Sequence, residues 1–123
     1  MSLLSAGSLI GAESDSGVDD TAKARVRGEI ERYVAADIKL KKYFFLTDPR
    51  SDKTLRLLFD HVHEGVSASP KGYGVCVDFK DKAGKVYDVD IFVSLGDTEA
   101  RVEEIVLHKV DGKPLPQAKE GGK

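Results

Sequence analysis

From position 18 onward, apolar side chains recur at three- and four-residue intervals: Ala22, Val26, Ile30, Tyr33, Val34 and Ile38. That spacing puts them on one face of a helix. Asp19 and Asp20 stand where first-turn acids favour the helix dipole, and Lys39, Lys41 and Lys42 stand at the complementary end. A helix of about 23 residues is about 35 Å long at 1.5 Å per residue, so a small sheet must curl to cover it. Gly28 interrupts the pattern at a cost of about 1 kcal/mol against alanine, and it is expected to admit a close approach of the sheet.

Beyond the helix the period changes to two. Residues 43–46 form a short apolar run, a short strand or the helix end, and 48–52 (Asp-Pro-Arg-Ser-Asp) read as a turn. Four strands are then predicted, at 54–66, 72–80, 85–95 and 100–110. Turns at 81–84 and 96–98 separate the later ones, and Asp111-Gly112 ends or reverses the last. The fold class is therefore α+β, one long N-terminal helix packed on a curved antiparallel four-stranded meander. The single domain spans 18–112, between a disordered N-terminal segment at 1–17 and a disordered polar tail at 113–123.

The central hairpin can be registered from its apolar positions. A tight turn at 82–84 sets Phe79 opposite Tyr87, Val77 opposite Val89, Val75 opposite Ile91 and Tyr73 opposite Val93. Every pair is apolar, whereas a slip of one residue would send the whole set to the other face. The same register places Asp78 opposite Asp88, Cys76 opposite Asp90 and Gly74 opposite Phe92 on the face away from the helix. Arg56, Leu58, Asp60 and Val62 are expected to join them from the first strand. Val102, Glu104, Val106 and His108 are the contribution expected from the last, although Ile105-Val106-Leu107 is apolar on both sides and leaves its register ambiguous. A fully solvated face carries fewer large apolar groups, so a second copy of the chain, a ligand or another protein is expected to cover part of this one.

Composition narrows the classes. The 123 residues suit one domain, 41% are hydrophobic and 33% are charged, with both signs interleaved. A net charge of −2 gives no electrostatic reason to expect nucleic acid or an anionic membrane as partner. No stretch is apolar for the roughly 20 residues a transmembrane segment needs. The single cysteine, Cys76, excludes an intramolecular disulfide and any CxxC site. Residues 3–12, LLSAGSLIGA, look like the end of a signal-peptide apolar region before a small-residue cleavage zone, although no basic residue precedes Lys23. Periplasmic or secreted localisation is the expectation from this segment, and cytoplasmic the alternative.

The candidate chemistry lies on the outer face. Asp78 and Asp88 side by side repel, which a salt-bridging cation such as Arg56, Lys80 or Lys85, a raised carboxyl pKa or a metal ion would relieve. His61 and His63 form an HxH pair whose members share a strand face at chelating distance, with His108 and the acids as further ligands. Strict alternation sends both histidines after Leu57 and Phe59 to the core. The apolar phase nevertheless changes at Val62 and Val66, which suggests a bulge near Asp60 or His61. Cys76 beside Asp90 reads as a small buried hydrophobe, because a neighbouring carboxylate raises a thiol pKa. No P-loop, GxGxxG, HExxH or Ser/His/Asp pattern is present, and the sequence points to no cofactor and to no catalytic residue.

A helix followed by a four-strand meander over 18–112 resembles the cystatin-like and NTF2-like architectures. The cystatin inhibitor signature is replaced here by His63-Glu64-Gly65-Val66-Ser67, and there is no tryptophan for the second inhibitory wedge. With its N-terminal segment the chain also resembles small bacterial exported proteins. The reading that follows is a non-enzymatic binding or assembly module, a homodimer or partner-binding protein using Arg56, Leu58, Cys76, Asp78, Asp88, Asp90 and Phe92. Two alternatives stand beside it. One is an NTF2-like pocket enzyme or small-molecule binder using His and Asp side chains, and the other is a metal-binding protein using His61 and His63.

Overall fold

The computed structural model describes residues 17–115; the expected N-terminal segment and signal remnant at 1–16, and residues 116–123 of the expected tail, lie outside them. Helix α1, Asp20–Lys41, is followed by strands β1 Phe44–Asp48, β2 Lys53–Val62, β3 Ser67–Ser69, β4 Gly72–Lys80, β5 Val86–Leu95, β6 Ala100–Val110 and β7 Lys113–Pro114. Asp19 caps the helix, its carboxylate accepting from the Ala22 amide at 2.8 Å. Lys42 ends it in the left-handed region, φ 77°, with its amide donating to the Ile38 carbonyl. Val26, Ile30 and Val34, spaced by four, are the fully buried stripe.

The strands form one curled antiparallel sheet in the order β1-β2-β4-β5-β6-β7, with β3 paired to the end of β4. The four expected strands form its centre, and β1, β3 and β7 extend it. The apolar run at 43–46 resolves as β1, whose Phe44 pairs with Leu57. Lys113 and Pro114, expected to open the polar tail, form β7 instead. Asp111 and Gly112 turn the chain at φ 50° and 79°, Val110 pairs with Lys113, and Leu115 is buried.

The central hairpin has the register read from its apolar positions, from Tyr73↔Val93 to Phe79↔Tyr87. These residues face α1 and close the core with Phe44, Leu57 and Leu107. Phe44 stacks on Phe79 with centroids 4.5 Å apart, and Phe59 meets Phe79 edge-on at 6.2 Å. In β6 the pairing skips Glu103 and again His108. The first skip turns Val102 to pair with Val93 on the core side, against the expected outer placement.

Gly28 does not serve a close approach. It is exposed, and a Cβ there would meet nothing within 4 Å. Gly28→Ala should therefore stabilise the protein by up to about 1 kcal/mol, read as a higher denaturant midpoint with unchanged slope.

Candidate metal centre

Two histidines reach the outer face because β2 carries one residue too many. Phe59 pairs with Phe79, but the next pairing is His61 with Asp78, so Asp60 is an unpaired bulge residue. Before it, Leu57 points to the core; after it, Val62 does so, pairing with Val77. The bulge reverses the phase of everything that follows. It moves Val62 from the outer face expected of it to the core, and it moves His61 and His63 from the core expected by alternation to the outer face. His63, just past the end of β2, is tied on both sides of its peptide. Its amide donates to the Cys76 carbonyl at 2.9 Å, and its carbonyl accepts from the Arg27 guanidinium of α1.

The two imidazoles stack, 5.1 Å between centroids and 4° from parallel. His61 Nδ1 lies 2.9 Å from Asp60 Oδ2, which fixes that nitrogen as the donor and leaves Nε2 as the free lone pair. His61 Nε2 is 3.7 Å from Asp78 Oδ2, and His63 Nε2 is 3.0 Å from Asp78 Oδ1 and 3.7 Å from Asp88 Oδ1. His63 Nε2, Asp78 Oδ1 and Asp88 Oδ1 are all buried, yet none of them has a hydrogen-bond partner of good geometry. Unpaired buried polar atoms aimed at one another are costly unless something sits among them. One ligand atom from each of His61, His63 and Asp78 can be chosen so that all lie within 4.8 Å of one another.

The acid pair is as close as the register required. Burial, then the nearness and charge of Asp78, push the Asp88 carboxyl up to about 6, against the pull of His63 and Lys109. Burial acts upward on Asp78 as well, but its contacts with Asp88 and His63 and the charge of both histidines outweigh it and hold Asp78 below the usual carboxylate range. The pair therefore behaves as a unit in which one carboxyl is ionised and its neighbour resists ionisation. The side chains that face the pair are the two histidines and Lys109. Arg56, expected to bridge the pair, is exposed and sits opposite Phe45 at the edge of the sheet, and Lys80 reaches Asp60 at 3.7 Å.

The remaining predicted positions fall nearby. Asp90 and Cys76 are the next cross-strand pair, with Cys76 Sγ donating to Asp90 Oδ1 at 3.3 Å. Burial, then the bond to Asp90, push the Cys76 thiol up to about 12. Phe92 lies on Gly74 and carries the Lys71 ammonium 5.1 Å from its ring centre, so part of this face is covered by the chain itself. Leu58, across from Lys80, is 44% exposed. Sequence reasoning left out Asp60 as the partner that orients His61 and Arg27 as the anchor of His63. Only the phase change at Val62 signalled the bulge that sets them.

No family model, no curated protein and no solved structure matches this chain. The site must be judged on its chemistry. Two imidazole nitrogens and a carboxylate suit a borderline divalent ion such as zinc, and three protein ligands leave a further position for water. An ion held there would lower the pKa of a bound water toward neutrality.

Proposed function

We propose that this protein is a metal-binding protein that holds a zinc-class divalent cation through His61 Nε2, His63 Nε2 and the Asp78 carboxylate. The observation that carries the reading is the convergence of these three groups, with His63 Nε2 and Asp78 Oδ1 buried and without a hydrogen-bond partner. Ligands bonded at about 2.0–2.1 Å to one tetrahedral ion lie roughly 3.4 Å apart. His61 Nε2 stands 3.7 Å from Asp78 Oδ2 and His63 Nε2 stands 3.0 Å from Asp78 Oδ1, one imidazole to each carboxylate oxygen, and one ligand atom from each residue lies within 4.8 Å of the others. Asp60 behind His61 completes the carboxylate–histidine pairing that supports metal-bound imidazoles.

The test is a zinc titration of protein without a histidine tag, followed by calorimetry and thermal unfolding. Tight binding near neutral pH is expected, weakening as acid protonates the ligands. Zinc at about 100 times Kd adds about 2.7 kcal/mol to the folded state. For a domain of this size that raises Tm by roughly 10–20 °C. Absence of saturable binding together with an unmoved Tm would leave His61, His63, Asp78 and Asp88 as an ion-pair network only.

A second reading is association between two copies of the chain. It is favoured by Phe45 and Leu58, 40% and 44% exposed on the same outer face of adjacent strands. Light scattering that gives a monomer mass at all concentrations would remove it.

A further inference from the structure

One rung along the same face, β4, β5 and β6 bring together a second set of ligand types that shares no side chain with the first. Cys76 on β4 and Asp90 on β5 are cross-strand partners, and His108 arrives from β6. Its position depends on the second β6 irregularity. The pairing steps from Asp88↔Lys109 to Val89↔Leu107, so His108 is the extra residue, and it lies beside Asp90. Cys76 Sγ is 3.3 Å from Asp90 Oδ1, and His108 Nδ1 is 3.5 Å from Asp90 Oδ2. His108 Nδ1 is buried and has no hydrogen-bond partner. One ligand atom from each of the three lies within 4.8 Å of the others. These residues form the floor of an open groove of about 400 Å³, whose walls include Ser67, Ser69 and Phe92.

We propose that Cys76, Asp90 and His108 form a second, thiolate-containing metal site that takes a soft or borderline divalent ion. With bonds of about 2.3 Å to sulfur and 2.0 Å to nitrogen or oxygen, adjacent ligands on a tetrahedral ion stand roughly 3.4–3.5 Å apart. Cys76 Sγ and His108 Nδ1 stand at that distance from Asp90, 3.3 Å from Oδ1 and 3.5 Å from Oδ2, one to each carboxylate oxygen. Binding replaces the proton that Cys76 shares with Asp90 by the ion, and that proton is released to solvent. The set differs in kind from its neighbour. One thiolate makes it favour zinc, cadmium or cobalt over magnesium or calcium, which prefer oxygen. The groove leaves the fourth position open to water or to a donor atom of a small ligand. The proposal stands on its own residues, so it can hold or fail whether or not His61 and His63 bind a metal.

Cobalt(II) titration separates the two sites, because only a cysteine ligand gives intense thiolate-to-cobalt charge-transfer absorption in the near ultraviolet. The tag-free protein in a phosphine reductant should take up two cobalt ions per chain and develop that band. Cys76→Ser should lose the band and keep one ion; His61→Ala should keep the band and lose one ion. His108→Ala supplies the same reading as Cys76→Ser should the serine variant fail to fold, judged by far-ultraviolet circular dichroism. A cobalt-saturated protein without the band overturns the proposal, and so does a band that survives undiminished in folded His108→Ala.

Discussion

Replacing His61 by alanine should lower zinc affinity at least about a hundredfold, a loss of about 2.7 kcal/mol. It should leave the stability of the metal-free protein within about 0.5 kcal/mol. The asymmetry follows from where the side chain sits. His61 is 58% exposed, and its imidazole contacts in the metal-free state are the stacked His63 ring, the partly exposed Asp60 and, at 3.7 Å, Asp78. Surface contacts of that kind contribute little. The same ring supplies one of three ligand atoms, so the bound state loses a full coordinate bond. His63→Ala should match it in metal affinity but differ in stability. His63 Nε2 stands 3.0 Å from Asp78 and 3.7 Å from Asp88, and its removal leaves two adjacent, largely buried carboxyls without their nearest polar neighbour. Competition against a chromophoric chelator gives the affinities, and urea unfolding in a metal chelator gives the stabilities. Unchanged zinc affinity in His61→Ala would rule out the histidine site, whatever the stability data showed.

Phe79→Ala should be the most damaging of the core substitutions, costing about 3–5 kcal/mol. Phe79 is completely buried at the centre of an aromatic cluster, stacked on Phe44 at 4.5 Å and met edge-on by Phe59. Its neighbours lie on β1 and β2, and an alanine there leaves a hole between strands that are pinned by their own hydrogen bonds and cannot close it. Against a total stability of about 5–15 kcal/mol, such a loss is a large share of the whole. Phe59→Ala removes an equal ring that is already 41% exposed and should cost markedly less. Chemical denaturation of both variants checks the order; equal losses would mean that Phe44 and Phe79 do not form the centre of the core.

The central hairpin was legible in the sequence because one constraint was repeated at every rung. Each of Tyr73, Val75, Val77 and Phe79 meets an apolar partner, and any slip breaks all four pairs together. The helix was legible for the same reason, with Val26, Ile30 and Val34 in a single stripe. What sequence periodicity handles badly is a place where the period itself is broken. The bulge at Asp60 inverts the faces of Val62, His61 and His63, and those at Glu103 and His108 do the same work in β6. The acids of the outer face could be placed from the hairpin alone, but His61 and His63 could not. Their position depends on single unpaired residues whose local conformation leaves no compositional mark. Arg27 was hidden for a different cause, since its contact with the His63 carbonyl spans the helix and the end of a strand far apart in sequence.

The unpaired Asp60 also decides how this chain tolerates a change of length. Deleting it leaves Leu57, Phe59 and Val62 in strict alternation and keeps Phe59 with Phe79 and His61 with Asp78, so both halves of β2 retain their partners. The lost elements are the local kink and the carboxylate behind His61. A deletion among Lys53–Phe59 has no such slack. It must either drag β1 out of register with β2 or use up the bulge, which sets the Asp60 carboxylate opposite Phe79 on the core side. Position 60 is therefore the one point in β2 where the gene can lose a codon and the sheet can stay in frame.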